Sequence, residues 1–180
     1  MRKTISISMA IALICSLLMT ITIFLPYATA TEEHSERLKS NSSFYSLEDV
    51  NMDGNDLVNI SMTDYAKIYS TMSQKMFGNS SAGVMYVVLV VLIAIFSAIA
   101  LLFSILKKPI AIIIFDILAF LTFYIQNWDY TDRGIIPSSN YDWGIAYYIF
   151  IVAAVALLAN SVWMLIIKIK NKKSAIAFNM

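Results

Sequence analysis

The chain has 180 residues, of which 59% are hydrophobic and 14% charged, with a mean hydropathy of +0.70. Soluble domains are roughly 45–50% apolar and about 25% charged, so this composition excludes an ordinary soluble fold and points to an integral membrane protein of one domain. A net charge of +1 supplies no global field for nucleic acid, and 13% aromatic content excludes disorder.

The first apolar run, 5–25, follows Arg2 and Lys3 and ends at Pro26. A hydrocarbon core of about 30 Å takes roughly 20 helical residues, so the run is long enough to span. Beyond it, Ala28-Thr29-Ala30 has the form of a secretory cleavage site, and residues 1–30 therefore also read as a signal peptide. Signal cores are usually about 7–15 residues, shorter than this run, which favours an uncleaved span.

A loop over 31–81 follows. Its segment Asp49-Val50-Asn51-Met52-Asp53-Gly54 matches the first half of a calcium loop, D-x-[DN]-x-[DN]-G. Alternate oxygen ligands and a glycine turn suit a hard cation, which makes Asp49, Asn51 and Asp53 a candidate cation loop. The twelfth position is Ile60, where a bidentate glutamate belongs, so an Asx-rich turn is the simpler reading. Later, Ser61-Met62-Thr63-Asp64 has the S-x-x-D form of a capping box and opens an amphipathic helix over about 62–77. Tyr65, Ile68, Tyr69, Met72 and Met76 recur on one face of it. That face covers the end of a helix bundle, lies among lipid headgroups, or receives a partner.

The second run, 82–106, is joined by Lys107-Lys108 to a third over 109–126, which Pro109 can open because proline suits the first helical turn. A loop over 127–143, a fourth run over 144–167 and a basic tail over 168–180 complete the chain. Eight basic residues (Arg2, Lys3, Lys107, Lys108, Lys168, Lys170, Lys172 and Lys173) lie in segments without an acid, whereas the 31–81 loop holds eight acids against four bases. The positive-inside rule then places both termini in the cytoplasm and both loops outside. Tyr27, Tyr86, Tyr124, Trp128, Trp143, Tyr147 and Tyr148 mark the outer ends of the spans, as an aromatic belt does. The fold expected is all-α: a four-transmembrane-helix bundle, N-in and C-in, with a partly helical outer loop.

Asp116 is the one ionisable residue deep in a span, a functional candidate by default. Asn160, on a stripe of small residues with Ala153 and Ala156, stands at similar depth, and Ser161 and Ser97 are further polar candidates. This cluster reads either as hydrogen-bonded helix packing or as a proton or cation site.

No nucleophile–base pair, phosphate loop or H-E-x-x-H motif is present, so an enzyme is not expected. One cysteine, Cys15, and one histidine, His34, exclude an intramolecular disulfide and leave too few ligands for zinc; no metal or cofactor is expected. The expected partners are the lipid bilayer, contacted by the tail lysines, and a membrane-protein partner or a second copy. The function expected is that of a non-enzymatic accessory or interaction protein acting through its outer loop or helix faces. The alternative is an oligomeric small transporter or channel component using Asp116. Isoleucine outnumbers leucine and lysine is common, the bias of an AT-rich genome, which fits a bacterial cytoplasmic membrane. The order of parts, with a large first outer loop, a tight inner turn and a smaller second outer loop, is similar to the layout of claudins and tetraspanins. Both families rely on outer-loop cysteines, which this chain lacks, so the similarity is one of layout and carries no residue over.

Overall fold

The computed structural model describes residues 2–78 and 80–178, with side chains over 7–73, 75, 78, 81 and 83–171. Four helices are long and apolar enough to cross a membrane. They are α1 (Arg2–Ile21), α4 (Ser80–Ile105), α5 (Pro109–Asp132) and α6 (Ile145–Phe178); the shorter α2 (Glu32–Ser40) and α3 (Met62–Phe77) lie between α1 and α4. Each long helix packs on two others, giving the ring α1–α4–α5–α6. Pro109 occupies the first turn of α5, where its missing N–H costs nothing. That helix runs 24 residues, about 36 Å, continuing past the apolar run. It can do so because its last turns bury Gln126, Asn127 and Tyr130 against the rest of the protein.

One end of the bundle carries a cap that the all-α expectation did not contain. Strand β1 (Pro26–Ala30) is the middle of a three-stranded antiparallel sheet, flanked by β2 (Asn59–Ser61) and β3 (Tyr141–Trp143). Ala28 lies opposite Ile60 on one side and Trp143 on the other, and a bulge between Pro26 and Ala28 shifts the register at Tyr27. The residues of the cleavage-site pattern are therefore the sheet's central strand, with Ala28 and Ala30 buried. Gly144 follows β3 so closely that a Cβ there would collide with the Pro26 carbonyl, and its N–H donates to the Tyr27 carbonyl at 2.8 Å.

Helix α3 begins as its sequence expects. The Ser61 N–H donates to the Asp64 carboxylate at 3.0 Å and the Asp64 N–H to the Ser61 hydroxyl at 3.1 Å, a reciprocal capping box. The helix lies against α4 with Gly83 at the contact, where a Cβ would run into the Tyr69 carbonyl. The main core runs from the bundle into the cap, continuous from Ala12 and Ile112 through Phe123 and Phe150 to Tyr27 and Ile60, and a second small cluster of Ala30, Leu38 and Val58 lies within the cap.

Candidate functional site

Asp116 is 2% exposed, seven residues into α5 and so about 10 Å from its first residue. Neither carboxyl oxygen has a hydrogen-bond partner among the described residues. The residue lines a cleft of about 110 Å³ between α5 and α6 with Phe120, Ala154 and Leu158. Ile117, Leu121 and Val155 complete that cleft and are exposed on the bundle's outer surface. Buried polar groups are hydrogen-bonded in the great majority of proteins, so a doubly orphaned carboxyl marks a place where a donor is wanted.

The sequence places Asn160 beside Asp116; the structure does not bring them together. Asn160 Nδ2 donates to the Ser8 carbonyl of α1 at 2.7 Å. Helix geometry explains this. Ala153 and Ala156 share a cleft with Cys15 of α1, so the small-residue stripe that ends at Asn160 faces α1. Ala154 and Leu158, about 100° further round, face Asp116 instead. Ser161 and Ser97 are fully buried and their hydroxyls are also orphaned. Ser97 stands eight residues from the end of α4, about 12 Å, which matches Asp116 in depth because α4 and α5 are joined by a tight turn. By contrast Ser16 and Ser104, not singled out from sequence as a pair, join α1 to α4 at 3.4 Å and satisfy themselves on the Ala12 and Ala100 carbonyls.

The face offered by α3 is turned inward. Tyr65 and Tyr69 are each 6% exposed, and Ile68 and Met72 are half-buried, so they cover the bundle rather than present a surface; Met76 lies outside the described side chains. Tyr69 stacks on Tyr86 of α4 at 4.1 Å between centroids, and Tyr86 stacks on Tyr130 of α5 at 5.2 Å. Tyr27 meets Tyr65 and Phe123 edge-on. Its hydroxyl donates to Asn127, beside a Gln126 amide that has no partner of hydrogen-bonding geometry. The Arg133 guanidinium sits 4.9 Å from the Tyr86 centroid and 5.8 Å from that of Tyr69, within cation–π range. Burial holds the Tyr27 and Tyr65 hydroxyls well above the ordinary tyrosine range and pushes Tyr141 up to about 12. Burial also raises Tyr69, against the opposing pull of Arg133.

Tyr27 and Tyr86, expected in the aromatic belt at the outer span ends, are instead completely buried. Tyr124, Trp128 and Tyr148 do face outward. Arg133, Asp129 and Tyr130 were missed as a group; the one available signal was a charge pair at i, i+4 at the end of an aromatic-rich span.

The candidate cation loop serves as a turn. Asp49 forms an ion pair with Lys75 of α3 at 2.6 Å, and Asn51 takes a left-handed conformation at φ 51°. Asp53 accepts the Asn55 N–H at 2.7 Å and the Asp56 N–H at 3.2 Å. Those backbone donors hold its carboxyl below the usual range, Asp56 contributing most. Among the described residues no group of three or more His, Cys, Asp or Glu side chains could hold a metal. No protein-family model, curated protein or solved structure matches the chain.

Proposed function

We propose that this chain is a non-enzymatic interaction protein of a cytoplasmic-type membrane, with both termini inside and the cap outside, that binds a partner helix laterally in the bilayer. The orientation rests on the eight bases in acid-free segments and the acids of the two loops. The observation that carries the function is Asp116, buried, doubly orphaned and opening on a cleft with a lipid-facing rim. A polar side chain on a neighbouring transmembrane helix, such as a hydroxyl, amide or cation, completes the carboxyl's hydrogen bonds where lipid cannot. Helix faces are favoured over the outer loop because the α3 face is already consumed by Tyr69, Tyr86 and Tyr130. The orphaned Ser97 and Ser161 hydroxyls favour a second reading, a transport component in which Asp116 takes up a proton or cation.

A photocrosslinking residue at Leu121 or Val155, activated in membranes, tests the proposal. The expected result is a defined protein adduct that survives Asp116→Asn, which keeps hydrogen-bonding capacity, and disappears with Asp116→Leu. Adducts to lipid alone, or a pattern indifferent to both substitutions, would overturn it. Loss of ion movement in Asp116→Asn with no protein adduct would support the transport reading instead.

A further inference from the structure

At the end of the bundle opposite the cap, two apolar clefts lie on either side of one lysine. The larger, about 480 Å³, is walled by Phe103, Ala111, Ile114, Leu165 and Ile169. The smaller, about 290 Å³, is walled by Met9, Met164 and Ile167. Pro109 and Lys168 line both, Lys108 stands at the first and Lys107 at the second. The three lysines are exposed, and the ion pairs among the described residues all lie elsewhere, Arg37–Glu33, Lys75–Asp49 and Arg133–Asp129. Ile110, Ile114 and Ile169 are exposed beside the larger cleft, so its apolar wall is continuous with the surface that faces acyl chains. The first turn of α5 opens at this mouth without a side-chain cap, adding the positive pole of its dipole to the lysines.

We infer that these clefts hold an anionic phospholipid, with its acyl chains along the α5–α6 and α1–α6 grooves and its phosphate among Lys107, Lys108 and Lys168. Charge complementarity decides the occupant. Apolar walls with cations only at the mouth fit an amphiphile that is apolar along its length and negative at one end. Basic pockets between transmembrane helices bind anionic headgroups on this principle. A zwitterionic lipid fills the same grooves but sets its own cation against the lysines. Lateral access from the bilayer favours a leaflet lipid over a soluble phosphate compound, which meets no apolar need at this mouth. The site is at the far end of the bundle from the cap and does not use Asp116, so it stands apart from the lateral-partner proposal.

The test uses the full chain reconstituted in bilayers containing equal phosphatidylglycerol and phosphatidylcholine. The protein is then released into mild detergent, and retained lipid is counted by native mass spectrometry. Phosphatidylglycerol is expected to be retained roughly tenfold over phosphatidylcholine, given three lysines near one anionic head. Lys107→Gln/Lys108→Gln/Lys168→Gln is expected to erase the preference while leaving helicity by circular dichroism unchanged. Ala111→Phe keeps every charge but fills the larger groove, and is expected to lower retention of both lipids. Equal retention by the parent chain, a preference that survives the triple substitution, retention unaltered by Ala111→Phe, or a lipid-free dimer covering the clefts would overturn the inference.

Discussion

The Tyr86 hydroxyl donates to the Asp129 carboxylate, which also receives the Arg133 guanidinium at 2.5 Å, so one acid near the end of α5 ties α4, α5 and the cap-side aromatics together. Tyr86 is fully buried, whereas Arg133 is exposed, and the two halves of the arrangement should therefore weigh differently. Tyr86→Phe removes a hydrogen bond to a charged group and is expected to cost about 1.5–3 kcal/mol. Arg133→Ala removes an exposed i, i+4 pair and a cation–π contact together worth about 1 kcal/mol. Denaturation in detergent by near-ultraviolet circular dichroism measures both. A double-mutant cycle should give a non-zero coupling because the residues share Asp129; additivity would mean that they do not act on one carboxylate.

Buried tyrosines make the cap sensitive to alkali. Tyr27, Tyr65, Tyr69 and Tyr141 are all held above the ordinary value of about 10, chiefly by burial, with Tyr141 at about 12. A raised folded value means that the unfolded chain loses its proton first. The tyrosines' stabilising contribution is thus complete below about pH 10 and is lost as pH climbs toward and through the folded values. Phenolate absorbance followed up in pH should show Tyr27, Tyr65, Tyr69 and Tyr141 ionising only above about pH 10 and together with loss of tertiary signal. Ionisation of these four tyrosines near pH 10 with the tertiary signal intact would contradict the buried cluster.

Two glycines fix how closely the cap approaches the bundle. A Cβ at Gly144 would strike the Pro26 carbonyl, and one at Gly83 the Tyr69 carbonyl, both of them backbone atoms that cannot swing aside. Gly144→Ala and Gly83→Ala are each expected to cost about 1–3 kcal/mol by overpacking. Gly134, with φ +63° and nothing near its Cβ position, provides a comparison in which any cost is backbone strain alone. Thermal unfolding of the three variants in one detergent separates the mechanisms. A Gly144→Ala chain as stable as the parent would mean that β1 and the start of α6 are further apart.

The sequence carried the helices because spans and amphipathic faces are local patterns. Ser61 and Asp64 announce the start of α3 across three residues, and the spacing of Tyr65 and Tyr69 points their shared face at the bundle. The sheet was not legible, since its strands are three to five residues long and β1 finds its partners about thirty and over a hundred residues away. Strands that short have too few alternations for a period to emerge. Asn160 was matched to Asp116 by depth alone; depth along a helix is readable from sequence, whereas the facing direction depends on which neighbour packs there. Aromatics at span ends were ambiguous for a similar reason, because exposed Trp128 and buried Tyr130 differ by only two positions.

If β1 is the sheet's middle strand, processing after Ala30 has a structural consequence. It would remove α1 and β1 together, opening the four-helix ring and leaving β2 and β3 with no strand between them. Tyr27, buried among Tyr65, Phe123, Tyr130 and Trp143, would go with them. The intact mass of the membrane-extracted chain is therefore expected to include residues 1–30. A mature chain beginning at Thr31 would require a different cap.

Asp116 makes the sharpest prediction about stability because neither carboxyl oxygen has a hydrogen-bond partner among the described residues. A buried polar group whose hydrogen bonds are unmet costs free energy, and replacing it by an apolar residue of similar volume removes that cost. Asp116→Leu, purified in detergent away from any partner, is expected to be as stable as the parent or more stable by up to about 2 kcal/mol. Asn160→Leu runs the other way, since that amide donates to the Ser8 carbonyl and joins α6 to α1, and should cost about 1 kcal/mol. Unfolding midpoints of the two variants, measured side by side, test the contrast. A destabilisation of Asp116→Leu comparable to that of Asn160→Leu would show that the carboxyl is satisfied within the bundle, and would remove the reason to look for a partner helix at the α5–α6 cleft.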